Sequence, residues 1–364
     1  MWYLNLVEKN IIPDWLIRLK IRHLLKSRLH DEYKGSNEGR KERFMNLIDE
    51  LKSSPIAVNT IDANEQHYEV PTAFYQLVMG DHLKYSCGYW KDKQSDQNTS
   101  EKDMLEITTK RAELTDNQNI LELGCGWGSL TLFMAEKYPG SNITAVSNSR
   151  TQKEYIDSKA DERGLKNIEV ITADMNDFEA DKIYDRVVSV EMFEHMRNYQ
   201  KLLLRVSQFL KDEGKLFVHI FSHKELAYKF EVKDDTDWMS KYFFTGGIMP
   251  SDHLFHYFNK DLLVKKHWTI NGTHYEKTSN NWLSRMDQNK ERVMTIFKDT
   301  YGSSHATKWW VYWRLFFMSC AELWGYNKGE EWVVSHYLFE KANKLQDVVP
   351  NSIGQNKKNT VITP

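Results

Sequence analysis

Two short stretches hold residues whose types and spacing could do chemistry. In NILELGCGWGSL, residues 119–130, Gly124, Gly126 and Gly128 fall straight after an alternating apolar run. Glycines so placed permit a tight turn after a buried strand. They also let backbone amides approach a ligand at the N-terminus of the following helix, where the helix dipole favours negative charge. A nucleotide-like ligand is implied. The dinucleotide fingerprint expects an acid roughly 20 residues further on, at the end of the second strand. Here AVSNSRTQ, residues 145–152, offers none before Glu154, which disfavours a nicotinamide enzyme. The third strand ends in TADM, where Asp174 is placed either to accept from an exocyclic amine such as that of adenine or to cap a helix.

The second stretch is YDRVVSVEMFEHMRNY, residues 184–199, in which Glu191, Glu194 and His195 follow directly on a buried strand pattern. Three ionisable groups in five positions can meet at one crevice rim if the backbone turns there, and an ordinary solvated loop reads much the same.

These residues need a scaffold, and the pattern supplies one. Strand-like runs at NILELG, NITAVSN, NIEVITAD, YDRVVSV and KLFVHIF alternate with helical patterns such as LTLFMAEKY and YQKLLLRVSQFL. Alternation of this kind over 115–223 builds a parallel, doubly wound α/β sheet, with ligands beyond the carboxyl ends of the strands. Upstream, Pro13-Asp14 reads as the start of a helix with Ile17, Ile21, Leu24 and Leu25 on one face and Arg18, Lys20, Arg22 and Lys26 around it. A membrane-surface anchor and a packing helix both fit, and the neutral overall charge favours packing. A second helix covers RFMNLIDELK, and YKGSNEG between them reads as a loop. Downstream, TKWWVYWRLFFMSCAELWGYN is aromatic at helical spacing, which favours a core that could also cap a site.

Composition narrows the classes. A formal net charge of -2 over 364 residues gives no global attraction to nucleic acid or anionic membrane, and no basic stripe with interleaved aromatics accompanies the site. Three cysteines, odd in number and widely spaced, argue against a disulfide framework and for a reducing compartment, so a cytoplasmic location is expected. No apolar run approaches a bilayer span, and no secretory signal pattern opens the chain. Thirteen histidines are scattered without paired-ligand spacing, so no metal is expected. A fold kept only as a binding scaffold is disfavoured, because glycine loop and acidic cluster are both intact.

ILELGCGWGSL, SVEMFEHM and EQHYEVPTAFYQLVMGDHLKYSCGYW together resemble the S-adenosylmethionine-dependent family containing cyclopropane-fatty-acid synthases and coclaurine-type N-methyltransferases. The similarity runs over nearly the whole chain. IPDWLIR, YFFTGGIMPS, NGTHYEKTS, RMDQNK and the aromatic run resemble the N-methyltransferase branch much more than the lipid branch. The resemblance implies a Rossmann-like class I methyltransferase fold with a helical N-terminal extension (1–60), a cofactor-covering helical segment (61–114), the cofactor-binding core (115–223), and a helical cap plus the end of the core (224–364).

It also implies roles. Tyr85 and Ser86 match positions holding the methionine carboxylate of S-adenosylmethionine, and Gly124 and Gly126 lie at its amino acid and ribose. Ser147 and Gln152 match ribose contacts, Asp174 and Met175 the adenine site, and Trp127 a second contact or a pocket wall. Glu191, Glu194 and His195 are expected to be catalytic. An alkyl ammonium with a pKa of about 10.4 has no lone pair to attack with, and freeing one at pH 7 costs roughly 4 to 5 kcal/mol, so a positioned base must take or steer the proton. Phe244, Tyr275 and Trp332 would suit a hydrophobic amine through their ring faces. The partner expected is a small amine, with a homodimer possible. The rival is lipid cyclopropanation, for which the resemblance implies a bicarbonate among Cys87, Glu194, His219 and Tyr275. That branch typically has glycine where this chain has Glu191.

Overall fold

The five strand patterns become five parallel strands: β1 (Asn119–Leu123), β2 (Asn142–Ser147), β3 (Ile168–Thr172), β4 (Tyr184–Val190) and β5 (Leu210–His223). The computed structural model describes residues 8–58, 70–232 and 238–342. A small pair, β6 (Tyr228–Lys229) and β7 (Ile248–Met249), lies outside the main sheet. The sheet is completed by β9 (Trp332–Lys341), which runs antiparallel to β5, and by β8 (Leu262–Ile270), which pairs antiparallel with β9 and so runs in the direction of β1 to β5, in the order β3-β2-β1-β4-β5-β9-β8. The chain is thus a class I methyltransferase α/β fold. Its inner strands are buried on both faces because helices cover both, which is why they read as near-continuous apolar runs.

The strand order reverses between β1 and β4, and the carboxyl ends of β1 to β5 open on one edge. The aromatic run forms the helix Ala306–Gly325, which buries Trp310, Trp313, Phe317 and Trp324 at three- and four-residue spacing. It joins Phe74, Tyr75, Trp282 and Phe297 in one core over that edge.

The N-terminal helix Asp14–Glu32 lies on this cap. Ile17, Ile21, Leu25 and Leu29 face the core, whereas Leu24 is 39% exposed, so it does not share the buried face. Arg18 is not a solvated charge: it donates to Glu322 at 2.9 Å and to Asn280 at 2.8 Å. Arg314 reaches Asp14 and Asp287 at 2.7 Å each and pins the same helix. The loop at YKGSNEG is shorter than its composition suggests. The Ser36 hydroxyl accepts from the Gly39 amide and starts the next helix at Asn37, taking Asn37, Glu38 and Gly39 into it. Residues 61–69 of the expected cofactor-covering segment, EQHYE among them, lie outside the described residues.

Candidate functional site

β1 ends at Leu123, and three glycines in the left-handed region turn the chain into the helix Ser129–Lys137, with φ of +77° at Gly124, +52° at Gly126 and +77° at Gly128. Their reasons differ. A Cβ on Gly124 would meet Met192 at 2.7 Å and one on Gly128 would meet Ile156 at 2.6 Å, so these two serve close packing. A Cβ on Gly126 would meet nothing within 4 Å, and this glycine faces open space where a ligand can approach the backbone.

Two adjoining cavities, with empty volumes of about 750 and 590 Å³, open on this loop and share Gly124, Gly126, Gln152 and Glu191. Ser147, Asp174, Met175 and His195 line the first. Tyr85, Ser86, Trp127 and Lys84 line the second. Each cofactor residue expected from the sequence therefore lines one cavity or the other. Asp174 caps no helix. Its Oδ1 accepts from the Asn176 amide at 2.7 Å in a turn after β3.

The cavity walls fit S-adenosylmethionine. Ser147 donates to Gln152 Oε1 at 2.6 Å, which leaves the Gln152 amide nitrogen buried with no hydrogen-bond partner, and Trp127 Nε1 is likewise buried and unpaired. Unmet donors in a buried wall cost about 1–3 kcal/mol each until an acceptor arrives, and ribose hydroxyls and a carboxylate are such acceptors. Tyr85 and Trp127 wall the second cavity, and the buried Tyr75 backs both, its ring 5.4 Å from Tyr85 and 5.1 Å from Trp127.

The acidic stretch turns as a crevice rim must. Glu191, one residue past β4, has φ +48°, a strained setting for a glutamate that its neighbours enforce. Its Oε1 accepts from the Cys87 amide at 3.0 Å and lies 3.2 Å from His219 Nε2, and its Oε2 accepts from the Tyr275 hydroxyl at 2.6 Å. Burial pushes the carboxyl above its usual range, opposed by the Lys84 ammonium and by the bonds from Tyr275 and Cys87. Lys84 is itself buried and donates to Ser86. His195 ends the short 3-10 turn Phe193–His195, lines the first cavity beside Glu191 and packs 4.7 Å from the ring of Phe244.

The remaining candidates part company. Glu194 is fully buried and lines neither cavity, and both its carboxyl oxygens lack a hydrogen-bond partner. Burial, with Glu191 nearby, raises its carboxyl well above the usual range. Tyr275 stacks on Trp324 at 4.9 Å and meets the site through its hydroxyl rather than its ring face. Trp332 starts β9 in the core, where its indole donates to Tyr228 at 3.1 Å, away from both cavities. Sequence reasoning passed over Lys84, whose only signal is adjacency to Tyr85. Among the described residues no group of three or more His, Cys, Asp or Glu could hold a metal ion, and no helix is long and apolar enough to cross a membrane.

Sheet order, glycine loop and paired cavities define an S-adenosylmethionine-dependent methyltransferase. A family model described as mycolic acid cyclopropane synthetase matches residues 57–328, and the chain belongs to that family. Within it, the chain is 40% identical to an (S)-coclaurine N-methyltransferase of Thalictrum flavum subsp. glaucum over 342 residues, covering 93% of this chain and 95% of the relative. A crystal structure of coclaurine N-methyltransferase bound to N-methylheliamine and SAH matches with a TM-score of 0.90 at 39% identity, covering 93% of this chain and 99% of that one. The cyclopropane-fatty-acyl-phospholipid synthase of Escherichia coli K12 is 28% identical over 223 residues, which is 61% of this chain and 55% of the synthase.

Proposed function

We propose that this enzyme transfers a methyl group from S-adenosylmethionine to the nitrogen of a small, hydrophobic, alkaloid-like amine. The observation that carries the reading is the Glu191 carboxylate, fixed on a cavity wall beside His195 by Cys87, His219 and Tyr275. When bound, the donor supplies an electrophilic methyl group on sulfur. Gln152 and Ser147 would hold its ribose, Tyr85 and Ser86 its carboxylate, and Asp174 and Met175 its adenine, with Trp127 closing the wall.

The chain's own work is to attract, orient and deprotonate the amine. Glu191 draws the ammonium into the crevice, where a fixed anion in a low dielectric acts strongly. His195 accepts the proton directly or through water. Glu194 lies behind them, buried, with burial and the neighbouring Glu191 both disfavouring its charged form. Once the nitrogen is neutral, in-line placement supplies much of the acceleration, and Phe244 lends an apolar wall next to His195. The names of the relatives, which are amine N-methyltransferases, support this reading.

The second reading is cyclopropanation of an unsaturated lipid. Three of the groups that would cradle its bicarbonate, at Cys87, His219 and Tyr275, instead hydrogen-bond the Glu191 side chain. That arrangement favours nitrogen as the acceptor.

The deciding experiment offers a donor with a fully deuterated methyl group to a panel of cyclic and aralkyl amines and, separately, to unsaturated phospholipid vesicles. An amine product retaining every deuterium is expected. A lipid product that has lost one deuterium, with no amine product, would overturn the proposal.

A further inference from the structure

Behind Glu191 the sheet carries an unusual pair. His219 on β5 and His336 on β9 are direct cross-strand partners, both fully buried, with His336 Nε2 2.8 Å from His219 Nδ1. Two imidazoles in the middle of an apolar sheet are costly unless each nitrogen is satisfied. Here each is. On the far side, Arg111, the last residue of the helix Gln97–Arg111, places Nη1 2.9 Å from His336 Nδ1 and lays its guanidinium 5.1 Å from the ring of Trp268. Among the described residues no carboxylate pairs with Arg111 directly.

The direction of every bond in this row follows from the one member that cannot accept. A guanidinium only donates, so His336 Nδ1 is an acceptor. A neutral His336 then carries its proton on Nε2 and gives it to His219 Nδ1, and His219 in turn donates from Nε2 to Glu191 Oε1. We infer that Arg111 and Glu191 form a single ion pair transmitted through two neutral histidines, His336 and His219, with Arg111 and His336 as positioning residues that keep the Glu191 carboxylate aimed and ionised. This rests on Glu191 serving the reaction as proposed above. Successive donors polarise one another in the same sense, and a low-dielectric sheet carries that polarisation further than water would. Burial holds both imidazoles well below their usual range, in keeping with neutral rings.

The same logic closes the row to proton traffic. A proton taken up at Glu191 could leave through His219 only if every bond reversed, and Arg111 cannot accept at the end. The row therefore orients and charges Glu191, and the substrate's proton leaves by the cavity mouth. The groups facing Glu191 from its other neighbours are Lys84 and Cys87 on the preceding loop, Glu194 and His195 in the 3-10 turn, Tyr275 on the helix Thr273–Gln288 and Cys320 on the helix Ala306–Gly325. Of these, only Lys84 and His195 can carry positive charge, and neither lies on the His219 side chain's path to Arg111.

The test uses the full chain labelled with nitrogen-15 histidine. Between about pH 6 and about pH 9, His219 and His336 should each show one protonated and one bare nitrogen, with the proton on Nε2 in both. In Arg111→Met, chosen because Arg111 is only partly buried at a helix end and its loss spares the core, the His336 and His219 signals should shift. The acid limb of kcat should rise by about one pH unit, with donor KM changed less than roughly twofold. Arg111→Lys, which restores a donor, should recover much of the limb. A proton on Nδ1 of either ring in the wild type, or an Arg111→Met variant with unchanged signals and acid limb, would overturn the inference. The wild-type tautomers test it even where a variant does not fold. Failure of the functional reading looks different: Glu191→Gln would then turn over normally, whatever the tautomers show.

Discussion

Glu191 is a charged residue in a place few charged residues tolerate, and the way it is held tells what it is for. Its strained φ, its burial and its three donors from three segments would be a poor arrangement for a residue that only packs. Glu191→Gln keeps the volume and removes the charge. Turnover should fall by roughly 100-fold or more, with donor affinity measured by calorimetry unchanged. His195→Ala should behave alike, and wild-type rates in both variants would end the assignment. The pH dependence follows from the direction of the Glu191 shift. With the carboxylate as the proposed working form and its pKa raised, activity should be lost as pH falls through a point above the usual carboxylate range. A kcat profile that stays flat down to about pH 4.5, the ordinary glutamate value, would contradict this.

At the scale of elements, β1 and its glycine turn carry two separable costs. Glu122 is buried on the wall of the second cavity with Thr131 donating to it at 2.5 Å, and burial raises its pKa to about 8. The folded state therefore holds a proton that the unfolded chain releases from about 4.5 upward. This contribution to stability is complete below that value and is lost as pH rises through about 8. Glu122→Gln should flatten the fall, and its unfolding free energy should gain on the wild type between about pH 5 and pH 8.5, on the order of 1–3 kcal/mol at the upper end, read by denaturant titration at each pH. In the turn itself, Gly124→Ala would drive a methyl into Met192 and should destabilise by about 1–3 kcal/mol. Gly126→Ala meets no protein atom, so it should cost only about 1 kcal/mol for its positive φ while weakening the donor severalfold. Equal effects of the two on melting temperature would show that the distinction is wrong.

Over the whole molecule, the N-terminal helix is tied to the C-terminal cap by charges that the sequence places some 300 residues apart. Arg314 meets Asp14 with both oxygens, at 3.0 and 2.7 Å, and Asp287 similarly, with its own side chain mostly buried. Arg314→Met leaves two carboxylates facing each other without their cation. Because Asp14 and Asp287 are each more than a third exposed, it should lower stability by about 1–2 kcal/mol and expose the helix Asp14–Glu32 to proteolysis before the sheet unfolds. Thermal unfolding and the order of cleavage fragments check both. A single cooperative loss at the wild-type temperature would mean that the apolar face of Ile17, Ile21, Leu25 and Leu29 suffices alone.

The sequence by itself determined the doubly wound sheet, because strand and helix periodicities are local, and the meeting of Gly126, Ser147 and Asp174 at one cavity, because Ser147 ends β2, Gly126 and Asp174 lie just past β1 and β3, and parallel strands bring their ends to one edge. It pointed to Glu191 and His195 for the same reason. It could not tell that Glu194, three residues along, would be buried without a partner, since that depends on how the 3-10 turn is rotated beneath the cap. Nor could it tell that Trp332 belongs to a strand's core face while Tyr275 reaches the site by its hydroxyl. The row from Arg111 through His336 and His219 to Glu191 needs a helix end and three strands, and its residues are up to 225 positions apart. Only tertiary structure decided these, because a hydrogen bond requires atoms about 3 Å apart in a fixed direction, and residue spacing along a chain carries no such information once it exceeds the span of one element.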